Sequence, residues 1–377
     1  MPAEIKNCKM EKTIYLFRAA VLSIACLAAV ANSSAQTTVK DYEPGTSKEG
    51  ITYFLPKTVI KVTVTSVKST YTPGELCKYA DRYMRLQGIS DKEETHHELK
   101  SVSVSYAAAP DESKAYHITY TTNSIAPQVQ LSEDGILLAI RTENPLVTAP
   151  AEPAPDSKVS SAKDSRKYLT EDMLMAASKA KLAELVAHEI YEIRDSKNSL
   201  VRGESDYMPA DGEGLKIMVQ NLQDQEDALL QLFTGVTVEE TTSRTFDVIP
   251  EASLTNFVVA RFSRKLGLLD SDNLAGSPIY IDVKSLAQAN ATPIEEDEQT
   301  AIKSATKKAK SYDGVVYNVP VKANVTVHAG NTVYVDDKVS IAQFGATETL
   351  SSKLFGKKAT TKVTLDPITG GLAKIEE

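Results

Sequence analysis

Apolar and polar residues alternate with a period of two along much of this chain. Ile60, Val62 and Val64 interleave with Lys61, Thr63 and Thr65. Val102, Val104 and Tyr106 interleave with Ser101, Ser103 and Ser105, and Tyr116, Ile118 and Tyr120 with His117, Thr119 and Thr121. Successive strand side chains point to opposite faces, so each run predicts a strand with one buried and one wet face. Pro110-Asp111, between the last two runs, predicts a turn. Leu131 to Ile140 predicts a hairpin about Asp134-Gly135. Later runs predict further strands at 236–238, 257–262, 279–283, 315–321, 325–327, 332–335, 339–344, 363–365 and 372–375.

Helical spacing occupies the middle of the chain. Leu182, Val186, Ile190 and Ile193 form one stripe of a helix expected from Glu171 to Asp195, with Thr170 as its cap. Leu215, Val219, Leu222, Leu229 and Phe233 form the stripe of a second, expected from Glu213 to Phe233 and stopped by Gly235. A shorter helical piece is expected within Gly74 to Leu86. Ala149 to Lys163 is rich in Pro, Ala and Ser and has no periodicity, so it cannot bury enough surface to offset chain entropy. Ala289 to Ser311 reads as a charged loop with an exposed helix. The expected fold is α+β: two β-rich, antiparallel, sandwich-like lobes with a central helical pair. The expected organisation is a leader (1–36), a flexible tail (37–50), a β-rich domain (51–148), a linker (149–166), and a helical pair plus second β-rich domain (167–377).

The leader changes the picture most. Lys12 and Arg18 precede an apolar run, Ala19 to Val30, which ends in small and polar residues to Gln36. That order predicts a secretory signal, cleaved after Ala35 or Gln36. The run is shorter than the roughly 20 residues a membrane span needs. A competing reading places a lipid anchor on Cys26, after Ser23-Ile24-Ala25; the apolar stretch Leu27 to Val30 that follows argues against it. The leader carries a net charge of +2, so its removal takes the chain from −8 to −10. Such an acidic chain is a poor match for nucleic acid or anionic lipid. It also leaves Cys77 as the one remaining cysteine, which cannot form an internal disulfide. No later run is long enough to span a bilayer as a helix, so the mature chain is expected to be soluble or peripheral.

Candidate chemistry is sparse. Glu226 lies eleven residues from Leu215, about 20° off the same helical direction, so it sits on the apolar stripe. A carboxylate there needs a partner, and Arg194, Arg202 and Arg261 are the candidate cations for a structural ion pair. His96-His97 are adjacent, a spacing that points two imidazoles apart rather than at one metal. His188-Glu189 opens like a zinc-protease helix, but position 192 is Glu. His117 and His328 fall on polar strand faces and are expected to be solvated. There is no G-x-S-x-G, no Walker loop and no G-x-G-x-x-G. No catalytic, cofactor-binding or metal residue is assigned, and no cofactor is expected. The tyrosines crowding the first β-rich region are expected in the core or in cross-strand pairs.

Four stretches carry a resemblance. They are Tyr53-Phe54-Leu55-Pro56-Lys57-Thr58; Leu229-Leu230-x-Leu232-Phe233-Thr234-Gly235; Arg261-Phe262-Ser263 before Gly267; and Asp366-Pro-x-Thr-Gly370. In combination they resemble domain-of-unknown-function family 4831, exported proteins of Gram-negative bacteria, over about Gly50 to Ile375. The resemblance implies export and lends no catalytic residue. The resulting expectation is a non-enzymatic envelope protein, in the periplasm or peripheral at the outer membrane, that binds an unidentified partner or ligand. Polar-faced strand edges could accept that partner. The alternative is a hydrolase of envelope glycan or peptide that works through carboxylates; it predicts two facing acids in a cleft.

Overall fold

The computed structural model describes residues 38–42, 50–119, 128–142, 163–204, 212–287, 311–312, 314–351 and 360–376. The strands are β1 (Thr38–Asp41), β2 (Gly50–Thr72), β3 (Glu94–Thr119), β4 (Val129–Leu131), β5 (Leu137–Ile140), β6 (Val236–Val248), β7 (Leu254–Ser263), β8 (Gly267–Leu269), β9 (Ser277–Ser285), β10 (Ser311–Tyr312), β11 (Gly314–Ala329), β12 (Thr332–Ser351), β13 (Lys362–Leu365) and β14 (Leu372–Glu376). The helices are α1 (Ala80–Met84), α2 (Glu171–Leu174), α3 (Lys179–Arg202) and α4 (Gly212–Thr234). The fold is β-rich α+β. Among the described residues three antiparallel sheets run in the orders β10-β1-β3-β2-β6, β12-β11-β9-β7-β8 and β14-β13-β5-β4.

Two β cores lie end to end along shared strands. Ile60, Val62 and Val64 of β2 pack with Ile279, Ile281 and Val283 of β9 and with Ala323, Val325 and Val327 of β11. Tyr53 and Leu55, earlier on β2, pack instead with Leu137, Ile140, Val363 and Leu365. The buried parity on β2 changes from odd to even between Leu55 and Ile60. A register shift at Phe54/Leu55 accompanies it. Each fully buried Val, Ile or Leu contributes about 1.5–3 kcal/mol, so both patterned faces are strongly specified. The Pro/Ala/Ser stretch does not divide the sheets: β6, which follows it, pairs with β2 from Ile60 to Thr72.

The helices form a third core. Ala183, Val186, Ala187, Ile190 and Ile193 of α3 meet Leu229 and Phe233 of α4, with Leu76, Ala80 and Met84 packed alongside. Gly235 (φ +76) ends α4, and its N–H donates to Gln231 O at 2.9 Å. Leu76 N–H donates to Leu232 O at 2.8 Å, and a Cβ on Gly74 would meet that same oxygen at 2.2 Å. The chain leaving β2 is thus seated on the end of α4.

Several expectations are corrected. Pro110-Asp111 is no turn: β3 runs through it, and residues 112–114 bulge between the Leu55–Asp111 and Phe54–Ala115 pairs. Asp111 Oδ1 accepts from Ser113 N–H and Oγ–H at 3.0 and 2.6 Å, which closes the bulge locally. The helix expected from Glu171 splits into α2 and α3, because Ser178 turns extended and its Oγ caps α3 by accepting from Lys181 N–H. Residues 38–41, expected in the flexible tail, form β1 with Val39 buried. Lys163 to Ser165, expected in the linker, are pinned: Asp164 caps a 3-10 turn and Lys163 bonds α4. The leader with Cys26, the end of the first β-rich domain (143–148), most of the linker (149–162) and the charged stretch 289–310 lie outside the described residues.

Candidate functional site

Glu226 is buried on α4, as its place in the stripe predicts, and anchors a polar chain between the long helices. Its Oε1 accepts from Arg194 Nε at 2.6 Å and its Oε2 from Lys197 Nζ at 2.8 Å. Lys197 also donates to Gln223 Oε1, Gln223 Nε2 to Asp227 Oδ1, and Lys163 Nζ to both Asp227 and Asp224. Burial pushes the Glu226 carboxyl up, but the hydrogen bonds from Lys197 and Arg194 outweigh it and hold it below its ordinary value. The other two candidate cations lie elsewhere. Arg202 is exposed at the end of α3. Arg261 on β7 donates to the carbonyls of Ser271 and Gly276 and so shapes the loop before β9. Lys197 carries no periodic signal in the sequence beyond its one-turn spacing from Arg194. The cluster is an interhelical clamp.

His188 and Glu192 form an exposed i, i+4 pair at 3.2 Å. His328 is half-buried rather than solvated, stacked on Tyr280 at 5.3 Å and 3.8 Å from Asp282. His117 is half-buried too, with Nδ1 2.9 Å from Thr52 Oγ1. Both expectations of solvation fail because neighbouring strands supply aromatic and hydroxyl cover on the polar face. Cys77 is half-buried at a depression of about 420 Å³. Among the described residues no group of three or more His, Cys, Asp and Glu is placed to hold a metal.

A second concavity, larger than the one at Cys77, adjoins His97. A groove of about 510 Å³ is lined by His97 and Leu99 of β3, Phe262 at the end of β7, Arg264 in the β7–β8 turn, Ser277 opening β9 and Tyr334 opening β12. β3 crosses one end of the second sheet here, so its edge forms one wall and the strand ends form the other. Its volume falls within the usual range of ligand sites. His97 N–H donates to Arg264 O at 2.8 Å and closes the groove at that end. Gly267 (φ +79) lets the turn come this close: a Cβ there would meet His97 Nδ1 at 2.8 Å. Burial first, then Lys68 and His96, hold the His97 imidazole below its ordinary pKa. Farther along β3, beyond the groove, Tyr106 Oη donates to Asp337 Oδ2 at 3.0 Å.

Among the described residues, the β3 wall continues into an open strand edge. β1 pairs with β3 only from Tyr116 to Thr119, and Tyr42 N–H reaches Ala115 O. From Leu99 to Lys114, among the described residues, β3 has a ladder on its β2 side alone. His97 N–H faces away from its partner Lys68; β2 keeps its alternation through the shift at Thr65/Ser66, so Val102, Val104 and Tyr106 also turn N–H and C=O outward. Edge strands are ordinarily protected by charge or proline. β6 carries Glu239, Glu240, Arg244 and Asp247, and β12 carries Asp336, Asp337, Lys338 and Glu348, whereas Ser101 to Ala109 on β3 carries neither charge nor proline. The one hint in the sequence is that uncharged Ser-Val-Ser-Val-Ser-Tyr alternation.

Motif stretches meet in space. Phe262 and Ser263 line the groove, and Gly267 abuts His97 at its closed end. Asn318 Nδ2, buried, donates to Pro56 O at 3.0 Å and Thr369 O at 2.9 Å, and so ties the Pro56 stretch to the Asp366–Gly370 turn. The family described as Domain of unknown function (DUF4831) matches residues 49–373. No curated protein and no solved structure matches the chain.

Proposed function

We propose, for a chain that belongs to the DUF4831 family, an exported, non-enzymatic envelope protein that binds a partner by strand addition along the β3 edge. The carrying observation is the uncharged run Ser101 to Ala109, laddered among the described residues on its β2 side alone, next to a groove of about 510 Å³ that begins at Leu99. An incoming extended chain would satisfy the outward N–H and C=O groups of Val102, Val104 and Tyr106 and bring its end to the groove at Leu99. The leader pattern from Lys12 to Gln36 supports export and an envelope location. No helix among the described residues is long and apolar enough to cross a membrane. The hydrolase reading has no comparable support: among the described residues every carboxylate with a resolved shift is held low, not raised.

The test uses the chain without residues 1–36 and an extended peptide of about ten residues alternating threonine and valine. Saturable binding, abolished by N-methylating every second peptide amide, supports strand addition. Equal binding of the methylated peptide, or none of either, overturns it. Export is tested separately by the intact mass and compartment of the native polypeptide; retention of the leader in the cytoplasm contradicts it.

A further inference from the structure

We propose that the segment received along β3 is the free C-terminal end of a partner chain, antiparallel to β3, with its carboxylate at Arg264 and Lys265. This rests on strand addition along β3, and three observations carry it.

The groove is closed where β3 passes Arg264. His97 N–H is already bonded to Arg264 O, and Gly267 presses against the His97 ring. A strand added along Val102 to Tyr106 therefore cannot continue past His97, and must end or turn there.

Direction follows from pairing. Antiparallel ladders are the more stable and more frequent kind. β3 lines the groove from His97 to Leu99 and runs on from it toward Tyr106. A chain antiparallel to it reaches His97 with its C-terminus.

Charge favours that terminus. Arg264 lines the closed end, Lys265 follows it in the turn, and both are exposed with no ion pair among the described residues. Glu98 is the opposing acid in the lining. Lys68, nearby on β2, is paired with Glu240 at 3.2 Å. Two cations against one acid attract a carboxylate and repel an ammonium. Leu99, Phe262 and Tyr334 line the groove beside them, so an apolar last side chain fits better than a charged one. The ligand class is thus an extended peptide with a free carboxylate and an apolar final residue.

The probe is the same Thr/Val peptide ending in leucine, as the free acid and as the C-terminal amide, titrated into the chain without residues 1–36. The acid is expected to bind about tenfold tighter than the amide, or more. Arg264→Gln with Lys265→Gln should bring the acid down to the amide's affinity and leave the amide unchanged. These variants keep the Arg264 carbonyl that His97 uses, so the fold is retained; an unchanged melting temperature checks this. If acid and amide bind equally while N-methylation still abolishes binding, the C-terminal assignment falls and strand addition stands. If the acid preference survives the double substitution, the carboxylate lies elsewhere and the assignment also falls. If neither peptide binds, both readings fall.

Discussion

The hydroxyl of Tyr106 donates to the carboxylate of Asp337 at 3.0 Å and stitches β3 to β12. Burial, then the hydrogen bond to Asp337, pushes the phenol well above its ordinary pKa, so it stays a donor throughout the physiological range. Tyr53 makes a different bond. Its fully buried hydroxyl accepts from Val316 N–H at 2.9 Å and donates to Val316 O at 3.2 Å. Tyr53→Phe should cost about 1–3 kcal/mol because it strands buried partners, and Tyr106→Phe about 1 kcal/mol or less because Asp337 can turn to water. Urea denaturation of the two variants checks the order; equal costs would contradict it.

Glu226→Ala should lose about 2–3 kcal/mol, less than for a fully enclosed pair because Arg194 is partly exposed. Glu226→Leu should lose clearly less, since leucine refills the volume among the α3 and α4 stripes. Thermal melts of the two variants that coincide would contradict a structural role for this carboxylate.

The clamp is sensitive to acid. Glu226 and Asp227 are held low against burial, and Asp224 is held low by its bond to Lys163. A depressed carboxylate stabilises the fold above its unfolded value, near about 4, and that contribution disappears as pH falls through the folded value. The stability gap between the native chain and Glu226→Leu should therefore shrink between about pH 6 and about pH 3. Lys163 is shifted up by Asp227 and Asp224, so its contribution is present below the ordinary lysine value and lost only as pH rises beyond it. A gap that does not change on acidification would contradict the assignment.

Gly370→Ala should destabilise by about 2 kcal/mol or more. The residue has φ +69, and its Cβ would meet Pro56 Cδ at 2.6 Å. The substitution forces apart the turn and strand that Asn318 ties together. Calorimetric melting measures it; a change under about 0.5 kcal/mol would contradict the contact.

Strands and long helices were legible because period-two and helical stripes record burial directly: Ile60, Val62 and Val64, or Val186, Ile190 and Ile193. Glu226 was legible as an intrusion in such a stripe, and Arg194 only as one of three candidate partners with Arg202 and Arg261. Lys197 was not, since a lysine one turn away looks like any solvated residue. The Asp111 bulge was hidden because Pro-Asp marks turns and bulges alike. The sharing of one sheet by β2 and β6 was hidden because strand partners far apart in sequence leave no local trace. The groove depends on β3 crossing strand ends, a tertiary relationship that no spacing records; only the Ser/Val alternation of Ser101 to Tyr106 was visible, not that it forms an edge.

The most direct measurement of the central claim is residue-resolved amide exchange of the chain, without residues 1–36, at saturation with the Thr/Val/Leu free-acid peptide. The account predicts slowed exchange at Val102, Val104 and Tyr106, whose N–H groups turn outward, with little change at Ser101, Ser103 and Ser105, already bonded to β2. Protection confined to β6 or β12, or none on β3, would contradict it.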